Sequence, residues 1–523
     1  MVSVGKANLS LADFEEVLFN EERISLDAEA LANIEENHLF LKQFSSNKLI
    51  YGINTGFGPM AQYKVSEENL LALQYNLIRS HSSGAGNLLS PLSVKSLMIA
   101  RLNSLMQGYS GVHTDVVHLL KDLINNDVYP CIYEHGGVGA SGDLVQLAHL
   151  ALVLIGEGEV IFNGEVQPTA QVFESVQIKP LSIQLREGLA ILNGTSAMTG
   201  IGVLNLLNAH KLLNWSILLS AITNEIVGAY DDHFSFELNV VKKHLGQNKV
   251  AETFRNIVSD SKLIRKRADH LYRHENIDQE VFEDKVQEYY SLRCVTQILG
   301  PIADTIDYAE KVVIGEANSV NDNPVVDHKN KNVFHGGNFH GDYVSLEMDK
   351  LKIAITKLSM LSERQLNYLL NDKLNKKLPP FVNLGTLGLN FGMQGMQFTA
   401  TSTVAENQTL SFPMYLHSIP NNNDNQDIVS MGCNAASLTR KVIENAFEVL
   451  AIQAVTLLQA IDYLGCAEQL SSVAKQMYDD LREIFPVFAD DKPRYKEMRL
   501  VKEYLSKNNP VLCPAFLGQE AAL

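Results

Sequence analysis

Positive charge is in short supply. The 523-residue chain has 43 Lys and Arg against 60 Asp and Glu, a formal net charge of −17. Nucleic-acid binding needs clustered cations that neutralise phosphates, and so does attachment to an anionic membrane surface. Neither a nucleic acid nor a membrane is expected as a partner. Cysteine is scarce as well: Cys131, Cys294, Cys433, Cys466 and Cys513 are odd in number, far apart and contain no CxxC pair. That spacing speaks against a disulfide framework and for a reducing, cytoplasmic compartment. In the opening stretch MVSVGKANLSLADFEEVLF, Asp13, Glu15 and Glu16 interrupt any apolar region, so a signal peptide is not expected. There is no internal repeat and no low-complexity tract. No HExxH, GxxxxGK[ST] or GxSxG occurs, so no metal ion, phosphate cradle or nucleophile elbow is expected. No lysine motif suggests pyridoxal phosphate.

What remains is a folded, globular composition, 46% apolar and 20% charged, at a length that suggests about two to four domains. The first third mixes element types. Residues 12–44 read as one or two amphipathic helices, and 48–62 (KLIYGINTGFGPMAQ) as a loop after a short strand. Residues 69–81 read as a helix, and Asn163-Gly164 as a hairpin turn. From about residue 187 the character changes. Residues 197–229, 284–314, 342–374 and 433–465 carry apolar side chains at three-and-four spacing with few breakers. The last of these includes Glu444, Glu448, Gln453, Gln459 and Asp462, which disfavours a membrane span and leaves a bundle of long helices. Stripes this broad also suit association of subunits. The amide-rich run NNNDNQD (421–427) stands out as the one polar cluster.

The most informative segment is Gly136–Asp143, GGVGASGD. With no Lys after it and no clean strand before it, it is a poor phosphate loop. A third possibility is backbone chemistry. The nitrogen of Gly142 is unhindered and, in a tightly held loop, can attack the Ala140 carbonyl. Loss of water there, and again from the Ser141 side chain, leaves an exocyclic methylene on a five-membered imidazolone. Small residues are needed because the chain must fold sharply on itself, and the flanking glycines and Asp143 would hold the strain.

GGVGASGDLVQLAH resembles the signature of the aromatic amino acid ammonia-lyases and the related aminomutases. Further similar segments follow in that family's order: YGINTGFG (51–58), LNGTSAMTG (192–200), QEYYSLRC (287–294), EANSVNDNP (316–324), GGNFHGD (336–342) and NQDIVSMG (425–432). The resemblance spans roughly residues 45–465 and is nearest to the flavobacterial type of tyrosine ammonia-lyase. It implies a mainly α fold, a long-helix bundle of the histidine ammonia-lyase type with a small mixed α/β N-terminal domain. The expected divisions are 1–190, bearing the prosthetic ring and a Tyr51 lid, 191–470 for the central bundle, and 471–523 for a helical tail. It also implies 4-methylidene-imidazol-5-one (MIO) made autocatalytically from Ala140, Ser141 and Gly142, no external cofactor, a homotetramer, and active sites built from more than one subunit.

Residue by residue, each implied role stands beside a plainer reading. Tyr51 is either an aromatic plug or, as the resemblance implies, the catalytic base, since a β-hydrogen of an amino acid is barely acidic. Arg293 is a helix-surface cation or the clamp on the substrate carboxylate, which a planar guanidinium meets bidentately. Asn193 is a turn residue before Gly194, or a donor to the ring's oxygen with Tyr290 nearby. Asn323, Phe339 and Gln426 are a turn residue, a core aromatic and a loop amide, or part of the same site. Glu288-Tyr289 stand where many family members have Asp-Pro.

Specificity falls on Ser80-His81. Family members selective for tyrosine often have His-Leu there, and histidine enzymes Ser-His. Glu406 matches the position where histidine enzymes hold the imidazole. Flavobacterial-type tyrosine enzymes also carry Ser-His, and His81 can hydrogen-bond a phenol and so discriminate against a substrate lacking it. The expectation is therefore deamination of L-tyrosine to trans-p-coumarate and ammonia. Histidine ammonia-lyase (L-histidine to trans-urocanate), tyrosine 2,3-aminomutase and a non-catalytic helical scaffold remain the alternatives.

Overall fold

The computed structural model describes residues 1–272, 280–281 and 285–514. It is mainly α, as expected, with 20 α-helices among the described residues. The four longest are Ser196–Val227 (32 residues), Val295–Ala317 (23), Asp342–Leu370 (29) and Gly432–Leu464 (33). Three of them match the expected apolar segments closely. The second starts late: Asp284 lies outside the described residues, and a separate short helix, Tyr290–Arg293, closes at Cys294 before the long helix begins. Gly432–Leu464 is long and apolar enough to cross a membrane by length and composition. Its most apolar window is 78% buried inside the structure, however, as in the core helix of a soluble fold.

The chain forms two compact units, each drawn from separate stretches. One comprises Met1–Leu207, Ala309–Lys350 and Pro413–Arg440; the other comprises Asn208–Tyr308, Leu351–Phe412 and the chain from Lys441 onward. Among the described residues every strand belongs to the first unit. They are short pairs: Val2–Val4 with Ile24–Leu26, Ala85–Leu88 with Tyr133–His135, Val325–Asp327 with Asn332–Phe334, and a three-stranded set ending in the hairpin Glu159–Phe162/Glu165–Pro168. That hairpin turns on Asn163 and Gly164, both at positive φ, as its sequence requires.

The helix expected over 69–81 is Leu70–His81. The short strand expected before YGINTGFG does not form. Asn54 takes the backbone groups a strand would pair, its Oδ1 accepting from Ile50 N at 2.9 Å and its Nδ2 donating to Lys48 O at 2.8 Å. In the second unit, buried amides and hydroxyls cross-link three long helices. Gln365 Nε2 donates to Ser220 Oγ at 3.0 Å, and Gln453 Nε2 donates to Gln365 Oε1 at 2.7 Å. Ser220, Gln365 and Gln453 thereby satisfy one another away from water, as burial demands.

Candidate active site

A cavity of about 660 Å³ opens in the first unit, with Tyr51, Ser80, His81, Ser141, Asn193, Asn323, Phe339 and Gln426 among its lining residues. Eight side chains from seven separated stretches of sequence therefore meet at one place. Helix Leu70–His81 delivers Ser80 and His81 at its C-terminal end. Ser141 stands just ahead of helix Leu144–Leu154, and Asn193 caps helix Glu187–Leu192.

The Ala140–Gly142 turn is clamped from several sides. Gly142 has φ +71°, and a Cβ there would run into the Gly194 carbonyl, so only glycine fits. Asp143 N donates to Gly194 O at 2.8 Å. Gly139 O accepts from Gly341 N at 3.1 Å and from Ser430 Oγ at 3.0 Å. The fully buried Asp143 carboxylate accepts from Met198 N at 2.8 Å and from the Cys433 thiol at 3.0 Å. Burial pushes it up to about 6, against the pull of those donors; the same burial, with Asp143 beside it, raises the Cys433 thiol.

Both groups of Ser141 that cyclisation would alter have amide donors. Its carbonyl accepts from Asn193 Nδ2 at 2.8 Å, and its hydroxyl accepts from Gln426 Nε2 at 2.8 Å. The Asn193 amide is oriented by its other end, because Oδ1 accepts from Asn323 N at 2.7 Å. A sharp glycine turn, a donor on the oxygen that becomes the ring carbonyl and a donor on the hydroxyl that must leave are what an imidazolone would require. The residues present fit that group.

Tyr51 faces the same cavity from a turn. Its hydroxyl accepts from Gly58 N at 3.1 Å. Arg186 is fully buried and held by Ser110 O at 2.6 Å, Asn323 O at 2.8 Å and Asp322 at 3.3 Å. Burial pushes this guanidinium down, while Asp322 and, further off, Tyr51 pull it up. His81 Nδ1 lies 3.0 Å from Leu77 O and 3.1 Å from Ser80 Oγ. A carbonyl only accepts, so Nδ1 carries a proton, and in the neutral ring Nε2 is the acceptor nitrogen.

Three other expected site residues lie in the second unit. Tyr290 and Arg293 line a cavity of about 580 Å³ with Glu288, Tyr289, Arg364, Asn367 and Tyr368. The Arg293 guanidinium sits 4.6 Å from the centre of the Tyr290 ring, and its Nε is buried with no partner among the described residues. Glu406 is exposed on helix Gln394–Leu410 and accepts from Asn445 Nδ2 at 2.6 Å.

The first cavity also uses residues that sequence reasoning assigned no role. Asn422, Asn423 and Asn425 line it. Asn422, Asn423 and Asp424 run consecutively at positive φ, and Asn421 pairs with Gln426 across the turn. The amide-rich composition was the available signal, since Asn and Asp tolerate the left-handed region better than other side chains.

A family profile described as aromatic amino acid lyase matches residues 9–483. The chain belongs to the aromatic amino acid lyase family. It is 37% identical to a tyrosine 2,3-aminomutase of Chondromyces crocatus over 95% of both chains. It is also 37% identical to a histidine ammonia-lyase of Shouchella clausii, over 97% of this chain and 98% of that one. Among solved structures, a tyrosine aminomutase from Streptomyces globisporus matches with a TM-score of 0.94 at 35% identity, covering 97% of both chains. The family match includes every residue of the first cavity, together with Tyr290, Arg293 and Glu406.

Proposed function

We propose that this protein is a cytoplasmic, homotetrameric ammonia-lyase that converts L-tyrosine to trans-p-coumarate and ammonia. The observation that carries the substrate is the His81 hydrogen bond to Leu77 O, which makes Nε2 the acceptor nitrogen of a residue that lines the cavity. A phenol hydroxyl is a donor and pairs with that acceptor, whereas phenylalanine would leave it unpaired. An MIO ring made from Ala140, Ser141 and Gly142 would supply the electrophile that draws electrons from the substrate.

The chain's own residues do the rest. Tyr51, steadied by the Gly58 N–H, takes the β-proton. Asn193 donates to the Ser141 carbonyl oxygen, where negative charge develops, and Tyr290 supports it. Arg293 clamps the substrate carboxylate through its planar fork. Phe339, Asn323 and Gln426 shape the wall around the reacting carbon, and Ser80, His81 and Glu406 meet the substrate side chain. Tyr290, Arg293 and Glu406 reach the cavity from neighbouring subunits. Exposed Leu387, Leu389, Phe391, Phe398, Phe412, Leu416 and Ile419 supply apolar surface for that assembly.

Tyrosine 2,3-aminomutase is a second reading, favoured by the aminomutases among the relatives, and it would use the same residues while retaining ammonia and the acrylate. Histidine ammonia-lyase is favoured by the lyases among them. The test is turnover of L-tyrosine, L-histidine and L-phenylalanine at equal concentration, with products identified by chromatography. The proposal expects p-coumarate from tyrosine as the fastest reaction. Faster urocanate formation, or β-tyrosine as the main product, would replace it with one of the other two.

A further inference from the structure

Arg101 has no place in the mechanism above, yet it is one of the largest fully buried side chains in the molecule. It lies on helix Pro91–Met106, where Ser93 through Met106 are all buried, so the guanidinium cannot turn out to water. Burying a cation is expensive unless it is paired. Among the described residues no carboxylate comes within ion-pair distance of it. Its partners are neutral oxygens: Asn193 O at 3.1 Å, Asn321 Oδ1 at 3.2 Å and Ala190 O. Asp322 and Asp143 act on it only from further away, and Asp322 is already paired with Arg186.

The position of this cation is specific. A Cβ on Gly194 would run into Arg101 Nη1 and Asn321 Oδ1, and a Cβ on Gly142 would run into the Gly194 carbonyl. The order is therefore guanidinium, Gly194, Gly142, with glycine backbone between the charge and the reactive tripeptide. The same guanidinium grips the main chain of Asn193, whose side chain donates to Ser141 O.

We propose that Arg101 is a positioning residue of this site: it fixes Asn193 and the Gly194 turn beneath Ala140–Gly142, and places a poorly compensated positive charge under the Ser141 carbonyl oxygen. The inference rests on the proposed reading that this oxygen collects negative charge during the reaction. A fixed cation behind a fixed donor lowers the cost of that charge without reorganisation. The effect acts on the reacting state and leaves substrate binding alone, because Arg101 does not line the cavity.

The test compares Arg101→Gln and Arg101→Lys with wild type, using whichever aromatic amino acid the wild type turns over fastest. Rates are expressed per chain that has lost two waters by intact mass of the denatured protein. Arg101→Gln should lower kcat on the order of tenfold to a hundredfold at nearly constant KM, somewhat less than loss of a direct oxyanion donor. Arg101→Lys, which keeps the charge but not the fork, should fall between the two. Wild-type kcat in Arg101→Gln, a change confined to KM, or equal losses in both variants would overturn the inference. If circular dichroism shows Arg101→Gln unfolded, Arg101→Lys decides alone: a kcat at least about threefold below wild type at constant KM supports it, and an unchanged kcat overturns it. A wild type that shows no loss of two waters would overturn the underlying reading instead, so the two failures are distinguishable.

Discussion

The two cavities that hold the family's signature residues are organised very differently. In the first unit three polar groups around Ser141 are held by a second group: Asn193 by Asn323, the Tyr51 hydroxyl by Gly58 N–H, and Asp143 by Met198 and Cys433. In the second unit Arg293 rests against the ring of Tyr290, which is itself exposed, and the Arg293 Nε has no partner among the described residues. One cavity is preorganised within a single chain. The other holds a cation stacked on an exposed aromatic ring at the wall of a cavity. On the proposed reading this is a division of labour: the first unit would hold the proton acceptor and the donors beside Ser141, and the second would present the group that captures the substrate carboxylate.

Substitutions can break that comparison. The largest effect is expected for Tyr51→Phe, which removes the proton acceptor but keeps the ring's volume. Its kcat should fall about 10²–10⁴-fold with little change in melting temperature. An unchanged kcat would move the base elsewhere. Next, Arg293→Ala should act on the other kinetic constant, raising KM by about tenfold to a hundredfold, the worth of a hydrogen-bonded charge. Arg293→Lys should raise it less, since a point charge replaces the fork. If the Arg293 variants lowered kcat at constant KM, the division of labour would be wrong.

His81→Phe sharpens the picture within the first cavity. Tyrosine would bury an unpaired hydroxyl and phenylalanine would not. The tyrosine-to-phenylalanine ratio of kcat/KM should then drop by about tenfold to a hundredfold, at about 1.4 kcal/mol per tenfold. The same ratio in wild type and variant would remove His81 from substrate recognition.

An effect on stability and not on turnover serves as the control for the second unit. Buried Glu225 accepts from Ser471 N at 2.7 Å, Ser471 Oγ at 2.7 Å and Ser261 Oγ at 2.8 Å, and burial pushes its carboxyl up to about 7 from 4.5. The native state therefore binds this proton more tightly than the unfolded chain. The resulting stability is fully present below about pH 4.5, declines as pH rises through about 7, and is gone above it. Denaturant unfolding of wild type should lose up to about 3 kcal/mol across that interval relative to Glu225→Gln, while KM stays unchanged. Identical pH slopes in the two proteins would contradict this.

Much of the architecture was legible because it is repetitive. Apolar spacing alone marks the helices Ser196–Val227, Asp342–Leu370 and Gly432–Leu464, since a periodic stripe survives any tertiary context. The Ala140–Gly142 turn was legible because so few residue types can make it. What stayed hidden depends on partners remote in sequence. Arg101 and Arg186 look like ordinary cations in an apolar run until the fold brings Asn193, Asn321, Ser110 and Asn323 to them. The missing strand before Tyr51 fails for a local reason, the Asn54 side chain, which propensity weighs too lightly. The run Asn422–Asp424 announced itself by composition, but its left-handed backbone follows from the Asn421–Gln426 pairing that closes the turn.

The central claim is that this cavity makes its own electrophile from Ala140, Ser141 and Gly142. Intact mass spectrometry of the denatured chain tests it most directly, with Ser141→Ala as the reference, since Ala has no hydroxyl to eliminate. Wild type should be lighter than its encoded sequence by two waters, about 36 Da, and Ser141→Ala should lack that loss and be inactive. A wild-type mass equal to the encoded sequence in active protein would contradict the account.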